Sequence, residues 1–250
     1  MTSTIRSLCP RGKQRLVVGA TPVPHAEILD RVRGELVARD IDLCIEVLDD
    51  FDELNDLLLA GRLDANFFQY LPFLDEFTRR TGTSLAPVVP VHIEPFGLYS
   101  CHLTDLEALP DYAEVALPAD PVNVGRSLTM LQHLGLVDFI PSSTRPPTVA
   151  DVRANPRRLI LKEFSGWLLG DVIDDFDLVF LFGYQAIALG VDSRAALCCD
   201  RGSPRYAEYL VARRDNRDSP SVLALAGALT SECMREFIAT NYAGQLVAAF

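Results

Sequence analysis

The chain has 250 residues, of which 49% are hydrophobic, and a formal net charge of -11. That length supports one large domain or two lobes of roughly 100 to 150 residues each, and the acidity argues against a nucleic-acid partner, which would need a basic face. No apolar run approaches the ~20 residues that a membrane-spanning helix requires. Met1 to Gln14 is polar and basic, without the apolar stretch of ~7–15 residues of an export signal, so a disordered leader over residues 1–14 is expected. From there the chain alternates between strand and helix patterns. Arg15 to Ala20 is a short β-branched apolar run and reads as a buried strand. Thr21 to His25 is a proline-restricted turn. Ile28, Leu29, Val32, Leu36 and Val37 then recur at helical spacing, predicting a helix from Ala26 to Arg39. Ile41 to Leu48 alternates as a strand. Asn55 to Ala60 reads as a short helix, Asp64 to Gln69 as a strand and Leu71 to Arg80 as a helix. Strands follow at Ala86 to Val91 and at Gly97 to Cys101.

The second half repeats the style. Strands are expected at Val115 to Leu117, Leu159 to Glu163, Leu178 to Phe182 and Tyr206 to Arg213. Helices are expected at Asn123 to His133, Leu168 to Ile173, Tyr184 to Leu189, Ser219 to Leu229 and Cys233 to Tyr242. Strands that alternate with helices imply an α/β protein with a largely parallel sheet. No internal repeat or low-complexity linker interrupts the pattern, which suits two lobes with a ligand in the interlobe cleft.

The six cysteines, Cys9, Cys44, Cys101, Cys198, Cys199 and Cys233, show no C-x-x-C spacing. Adjacent Cys198 and Cys199 would pair with each other only under strain. Free thiols lean toward a reducing compartment.

The densest run of uncommon residues is Gly61-Arg62-Leu63-Asp64-Ala65-Asn66-Phe67-Phe68-Gln69-Tyr70-Leu71-Pro72-Phe73-Leu74-Asp75. It has company in Val18-Gly19-Ala20-Thr21-Pro22-Val23-Pro24-His25-Ala26-Glu27, Val91-His92-Ile93-Glu94-Pro95-Phe96-Gly97-Leu98-Tyr99-Ser100 and Leu117-Pro118-Ala119-Asp120-Pro121-Val122-Asn123-Val124-Gly125-Arg126. A fifth motif is Thr148-Val149-Ala150-Asp151-Val152 with Asn155-Pro156. In this order the five motifs resemble those of the NlpA/MetQ family, the substrate-binding components of methionine-type ABC importers. The resemblance runs from about Leu16 to Phe250. It implies a two-lobed periplasmic-binding-protein-like fold (type II), with one lobe of residues 15–100 plus 205–250 and a second of residues 101–204. It also implies a monomer that passes a small ligand, an amino acid or analogue, to ABC permease and ATPase subunits, with no cofactor, no metal and no catalysis. An extracytoplasmic, membrane-associated location would follow. Cys9, however, lacks the small residues and long apolar stretch that precede a lipid-anchored cysteine. The chain itself therefore leaves a cytoplasmic location open.

An amino-acid ligand presents a carboxylate and an ammonium group. Arg126 follows a Pro-x-Asn-x-Gly turn near a helix start, where backbone N–H groups and a guanidinium fork both favour a carboxylate; the alternative is a surface salt bridge. Asn123 either orients the ligand or Arg126, or caps the helix. Tyr70 and His92 supply side-chain contacts beside a soft thioether, or else pack within a lobe. Glu94 either receives the ammonium group or accepts a hinge hydrogen bond beside Pro95.

Three positions depart from the family pattern. Leu181 and Glu208 stand where the family carries Asn, and Ala119 stands where Asn is common. An unmet polar group costs ~1–3 kcal/mol, so two lost partners would weaken methionine binding by a few hundredfold at ~1.4 kcal/mol per tenfold. Glu208 can pair with an ammonium group; Leu181 cannot. The expectation is a kept scaffold with an altered ligand. Two further readings share the scaffold: a cytosolic ligand sensor, and a cytosolic enzyme using His92 with Glu94, or Glu208, as acid and base on one strand face.

Overall fold

The computed structural model describes residues 13–200, 203–242 and 245–250. Residues 1–12 of the expected leader, Cys9 among them, lie outside the described residues, while its last residue, Gln14, opens the first strand. The chain divides into two compact units. Unit 1 takes the residues up to His92, Arg205–Asn241 and Ala248–Phe250, and unit 2 takes Ile93–Pro204 and Tyr242–Val247.

Unit 1 opens with strand β1 (Gln14–Ala20), whose Leu16, Val18 and Ala20 are fully buried at alternate positions. A turn over Pro22–Ala26 leads into helix α1 (Glu27–Val37), which buries Ile28, Leu29, Val32 and Leu36. Strand β2 (Ile41–Val47) pairs parallel to β1. Helix α2 (Phe51–Leu59) starts four residues before the expected Asn55. Its cap is Asp50, whose carboxylate accepts from the backbone N–H of Asp52 and Glu53 at 2.9 and 3.0 Å. Strand β3 (Ala65–Tyr70) and helix α3 (Leu71–Thr81) follow, the helix ending on Gly82 in the left-handed region at φ 69. Strand β4 (Leu85–Ile93) completes the first pass.

Unit 2 holds strands β5 (Phe96–Tyr99) and β6 (Glu114–Pro118) and helix α4 (Pro121–His133). Strands β7 (Asp138–Phe139), β8 (Val152–Ala154), β9 (Ile160–Phe164) and β10 (Leu178–Phe182) follow, then the short helix α5 (Gly183–Ala188) and strand β11 (Cys198–Asp200). The chain re-enters unit 1 with β12 (Ala207–Arg213), helices α6 (Pro220–Leu229) and α7 (Glu232–Asn241), and closes on β13 (Val247–Ala248).

The sheet of unit 1 has the order β13-β4-β12-β3-β1-β2 and that of unit 2 the order β11-β5-β10-β6-β9. The α/β class is as expected, but a largely parallel sheet is not what forms. β3 pairs parallel to β1 and antiparallel to β12, while β10 pairs parallel to β6 and antiparallel to β5. The chain returns to each sheet after an excursion, and the returning strand enters in the opposite direction. The helix expected at Leu168 to Ile173 is a 3-10 turn at Gly166–Leu168 followed by further turns. Gly170 and Asp171 disfavour helix there.

Each unit has its own core. In unit 1, Leu54, Leu58 and Leu63 pack with Phe68, Leu74, Phe77, Leu85 and Val211. In unit 2, Phe96, Leu98, Leu117, Leu128, Leu131 and the whole of β10 form the centre.

Candidate functional site

In unit 1 the aromatic- and amide-rich motif lies on β3, where a bulge decides its geometry. Against β12, Gln69 pairs with Tyr209 and Phe67 with Leu210, so Phe68 is an extra residue on β3. An inserted residue resets the two-residue alternation of side chains. Gln69 therefore returns to the face of Asn66, and Tyr70 to the face of Phe67. On the first face, Asn66, Gln69 and Asn55 of α2 form a closed amide triad, all at most 1% exposed. Asn66 Nδ2 donates to Asn55 Oδ1 at 2.9 Å, and Gln69 Nε2 donates to Asn55 Oδ1 at 2.7 Å and to Asn66 Oδ1 at 2.8 Å. Asn55 Nδ2 donates back to Gln69 Oε1 at 3.1 Å. The polar half of the motif thus holds α2 to β3 within unit 1.

The second face carries the aromatic set. His25, which follows the Val23-Pro24 cis peptide bond, is 3% exposed, and its Nδ1 lies 2.7 Å from Thr21 Oγ1. Its ring sits edge-on to Phe67 at 4.8 Å and 5.1 Å from the ring of His92. His92 is fully buried on β4. Tyr70 is 6% exposed and packs edge-on against Tyr206 at 5.3 Å. Glu208 lies directly opposite Tyr70 in the β12–β3 register and is also 6% exposed. Sequence reasoning placed His25 in a motif but not among the site residues; a buried histidine cannot be told from a turn residue by spacing.

Burial first, and the neighbouring His92 second, hold the pKa of His25 well below its usual value of 6.5. The unfolded chain therefore takes up the proton before the folded one does. The stability that comes from keeping His25 neutral is whole above about pH 6.5 and is lost as pH falls toward the folded-state pKa. Urea unfolding at stepped pH should show wild type losing up to ~1.4 kcal/mol per pH unit below about 6.5 from this group, with a shallower slope in His25→Gln. Identical slopes would remove His25 as the cause.

In unit 2 the charged residues gather around Phe96. Arg126, on α4, is buried rather than at the surface: its side chain is 6% exposed and its Nη2 donates to Asp200 Oδ2 at 2.9 Å. Its guanidinium carbon lies 4.6 Å from the centroid of the Phe96 ring. The Asn123 cap alternative is corrected by the helix start itself. Asp120 is the cap and accepts from the Asn123 backbone N–H, while Asn123 Nδ2 donates to Asp120 Oδ2, both at 2.9 Å. Burial raises the pKa of Asp120 against the pull of these hydrogen bonds.

Glu94 accepts from the backbone N–H of Tyr184 at 3.1 Å, at the start of α5. The approach is close: a Cβ on Gly183 would meet Glu94 Cβ and Pro95 Cδ at 3.1 Å. β4 ends at Ile93, ahead of Pro95, so Glu94 lies one residue past the strand that carries His92. Leu181 is fully buried in the core of unit 2, opposite Gly97 in the β10–β5 register. Alternation turns its neighbour Phe182 to the other face, where that ring lies 5.2 Å from Phe96. Ala119 is exposed. Asp200 was not legible in advance, because a three-residue strand has no periodicity to read.

The sequence model of one protein family, described as NlpA lipoprotein, matches residues 16–250. The methionine-binding lipoprotein MetQ of Bacillus subtilis is 32% identical over 249 residues, covering 94% of this chain and 88% of its own. The structure of a nutrient binding protein from Burkholderia cenocepacia bound to methionine superposes with a TM-score of 0.88 at 28% identity, covering 94% of this chain and all 100% of that one. An ABC transporter periplasmic substrate-binding protein from Coxiella burnetii gives a TM-score of 0.86 at 26% identity, over 93% and 99% of the two chains.

Proposed function

We propose, since the chain belongs to the NlpA lipoprotein family, that it is the substrate-binding component of an ABC importer and takes a methionine-type α-amino acid. The relatives reported above are named for binding, two of them for methionine and one for an ABC transporter. The single observation that carries the amino-acid reading is the buried Arg126, fixed by Asp200 beneath one edge and Phe96 beneath its plane. A guanidinium kept out of water and pre-oriented is suited to grip a carboxylate with little loss of rotamer freedom.

In this reading Arg126 holds the ligand carboxylate, and Asn123 steadies the helix start through Asp120. Tyr70, His92 and Glu208 are candidate ligand contacts of unit 1. Leu181 shapes its surroundings from the core, and Glu94 positions α5. Partners are a permease and its ATPase, and no reaction is catalysed. Relatives named as lipoproteins favour work outside the cytoplasm at a membrane surface.

The test is thermal. Protein unfolded and refolded to strip carried-over ligand is melted against L-methionine, other amino acids and a small-metabolite panel. A native-state ligand at 100 times its Kd adds ~2.7 kcal/mol, which raises the midpoint of a chain this size by about 5–10 °C. A shift with methionine or a close analogue supports the reading. A shift only with compounds that lack an α-amino acid group sinks it.

A further inference from the structure

Unit 2 carries a charge pair that suits a zwitterion better than a simple anion. β11 pairs antiparallel with β5, and this register sets Asp200 directly opposite Phe96. Arg126 lies over the ring of Phe96 and donates to Asp200 Oδ2 at 2.9 Å. The two charged groups are not equally enclosed. The Arg126 side chain is 6% exposed, whereas that of Asp200 is 24% exposed. Among the described residues, Arg126 is the only donor to the Asp200 carboxylate. Asp200 thus keeps acceptor capacity on an open side.

We propose that Asp200 is the ammonium-binding residue of the amino-acid site, with Arg126 taking the carboxylate. This rests on the amino-acid reading above and goes beyond it by naming the second pole. The ammonium and carboxylate of an α-amino acid share one carbon, so their partners must be adjacent, as Arg126 and Asp200 are. A guanidinium has five N–H donors in a fixed fork and can hold Asp200 and a ligand carboxylate together. An ammonium group taken out of water needs an acceptor of its own. Leu181, at the position where the family pattern has an amide, offers none, and Asp200 supplies one with a full charge. The pair is also neutral overall, so the site admits a zwitterion and penalises a carboxylate that brings no positive charge.

The proposal predicts discrimination rather than affinity alone. Calorimetric titrations of the refolded full chain would use two probes: L-methionine, and 4-(methylthio)butanoate, which is methionine without its amino group. Wild type should prefer methionine. In Asp200→Asn, methionine should weaken about 10- to 100-fold, the loss of one charge-assisted hydrogen bond. The des-amino acid should hold within ~3-fold or tighten, since a repelling carboxylate has been removed. The preference between the two ligands therefore collapses. Equal weakening of both ligands would make Asp200 a positioning residue for Arg126 and overturn the proposal. An unchanged preference would overturn it as well. Asp200→Glu keeps the charge and moves it by one methylene; it serves where Asp200→Asn does not refold. There the preference should fall in the same direction, and an unchanged one again overturns the proposal. A wild type that binds methionine while Asp200→Asn keeps the preference defeats this inference alone. A wild type that binds no amino acid defeats the amino-acid reading together with it.

Discussion

Arg126→Ala is expected to abolish amino-acid binding, weakening it at least ~100-fold. Truncating one member of a desolvated, hydrogen-bonded charge pair costs about 2–5 kcal/mol, and each ~1.4 kcal/mol is tenfold in Kd. The same change has a smaller effect on folding. Asp200 loses its donor but is 24% exposed and regains water, and Phe96 loses the cation above its ring. A loss of about 1–3 kcal/mol in unfolding free energy is expected from these two terms. Arg126→Lys separates the roles. Lysine restores a charge near Asp200 but not a planar fork or a stacked plane. It should recover part of the stability and little of the binding. Urea unfolding and titration calorimetry on the same preparations read both effects. A lysine variant that binds as wild type does would show that Arg126 acts as a charge and not as a fork.

The amide triad carries the largest expected effect on folding. Gln69→Leu removes the donor to Asn66 Oδ1 and the acceptor for Asn55 Nδ2, leaving two buried polar groups without partners. At ~1–3 kcal/mol for each orphaned group, the variant should lose about 2–6 kcal/mol. Asn55→Leu should cost less, about 1–3 kcal/mol, because it leaves Gln69 Oε1 without its donor while Asn66 Nδ2 keeps Leu54 O and Gln69 Nε2 keeps Asn66 Oδ1 as acceptors. The effects should not add. Once the triad is broken, the second substitution removes a group that is already unpaired, so the double variant should be at least ~1 kcal/mol more stable than the sum predicts. Additive losses in urea unfolding would mean that the three amides act separately, contrary to their geometry.

The triad also explains what the sequence could and could not reveal. The run from Gly61 to Asp75 stood out because it was dense in uncommon residues and too polar for plain core. Its chemistry pointed to a ligand, yet its amides turn inward and satisfy one another, and Phe67 and Tyr70 are the residues that reach the aromatic face. The cause is the bulge at Phe68, which strict alternation does not foresee. Long elements with a clear period, such as α1 and α4, were legible to within a few residues. Asp50 and Asp120 mark two helix starts that periodicity alone placed too late, since a cap precedes the apolar pattern it serves. Strands of two or three residues escaped, and β11 among them carries Asp200. The pairing of Arg126 with Asp200 spans 74 positions in the chain, a distance across which no local pattern speaks.

The most direct measurement is a calorimetric titration of L-methionine into the refolded wild-type chain, with Arg126→Ala as its control. Saturable one-to-one heat in wild type that vanishes in the variant is the predicted result. Binding that survives loss of Arg126, or a refolded wild type that takes up neither methionine nor any other α-amino acid, would contradict the account.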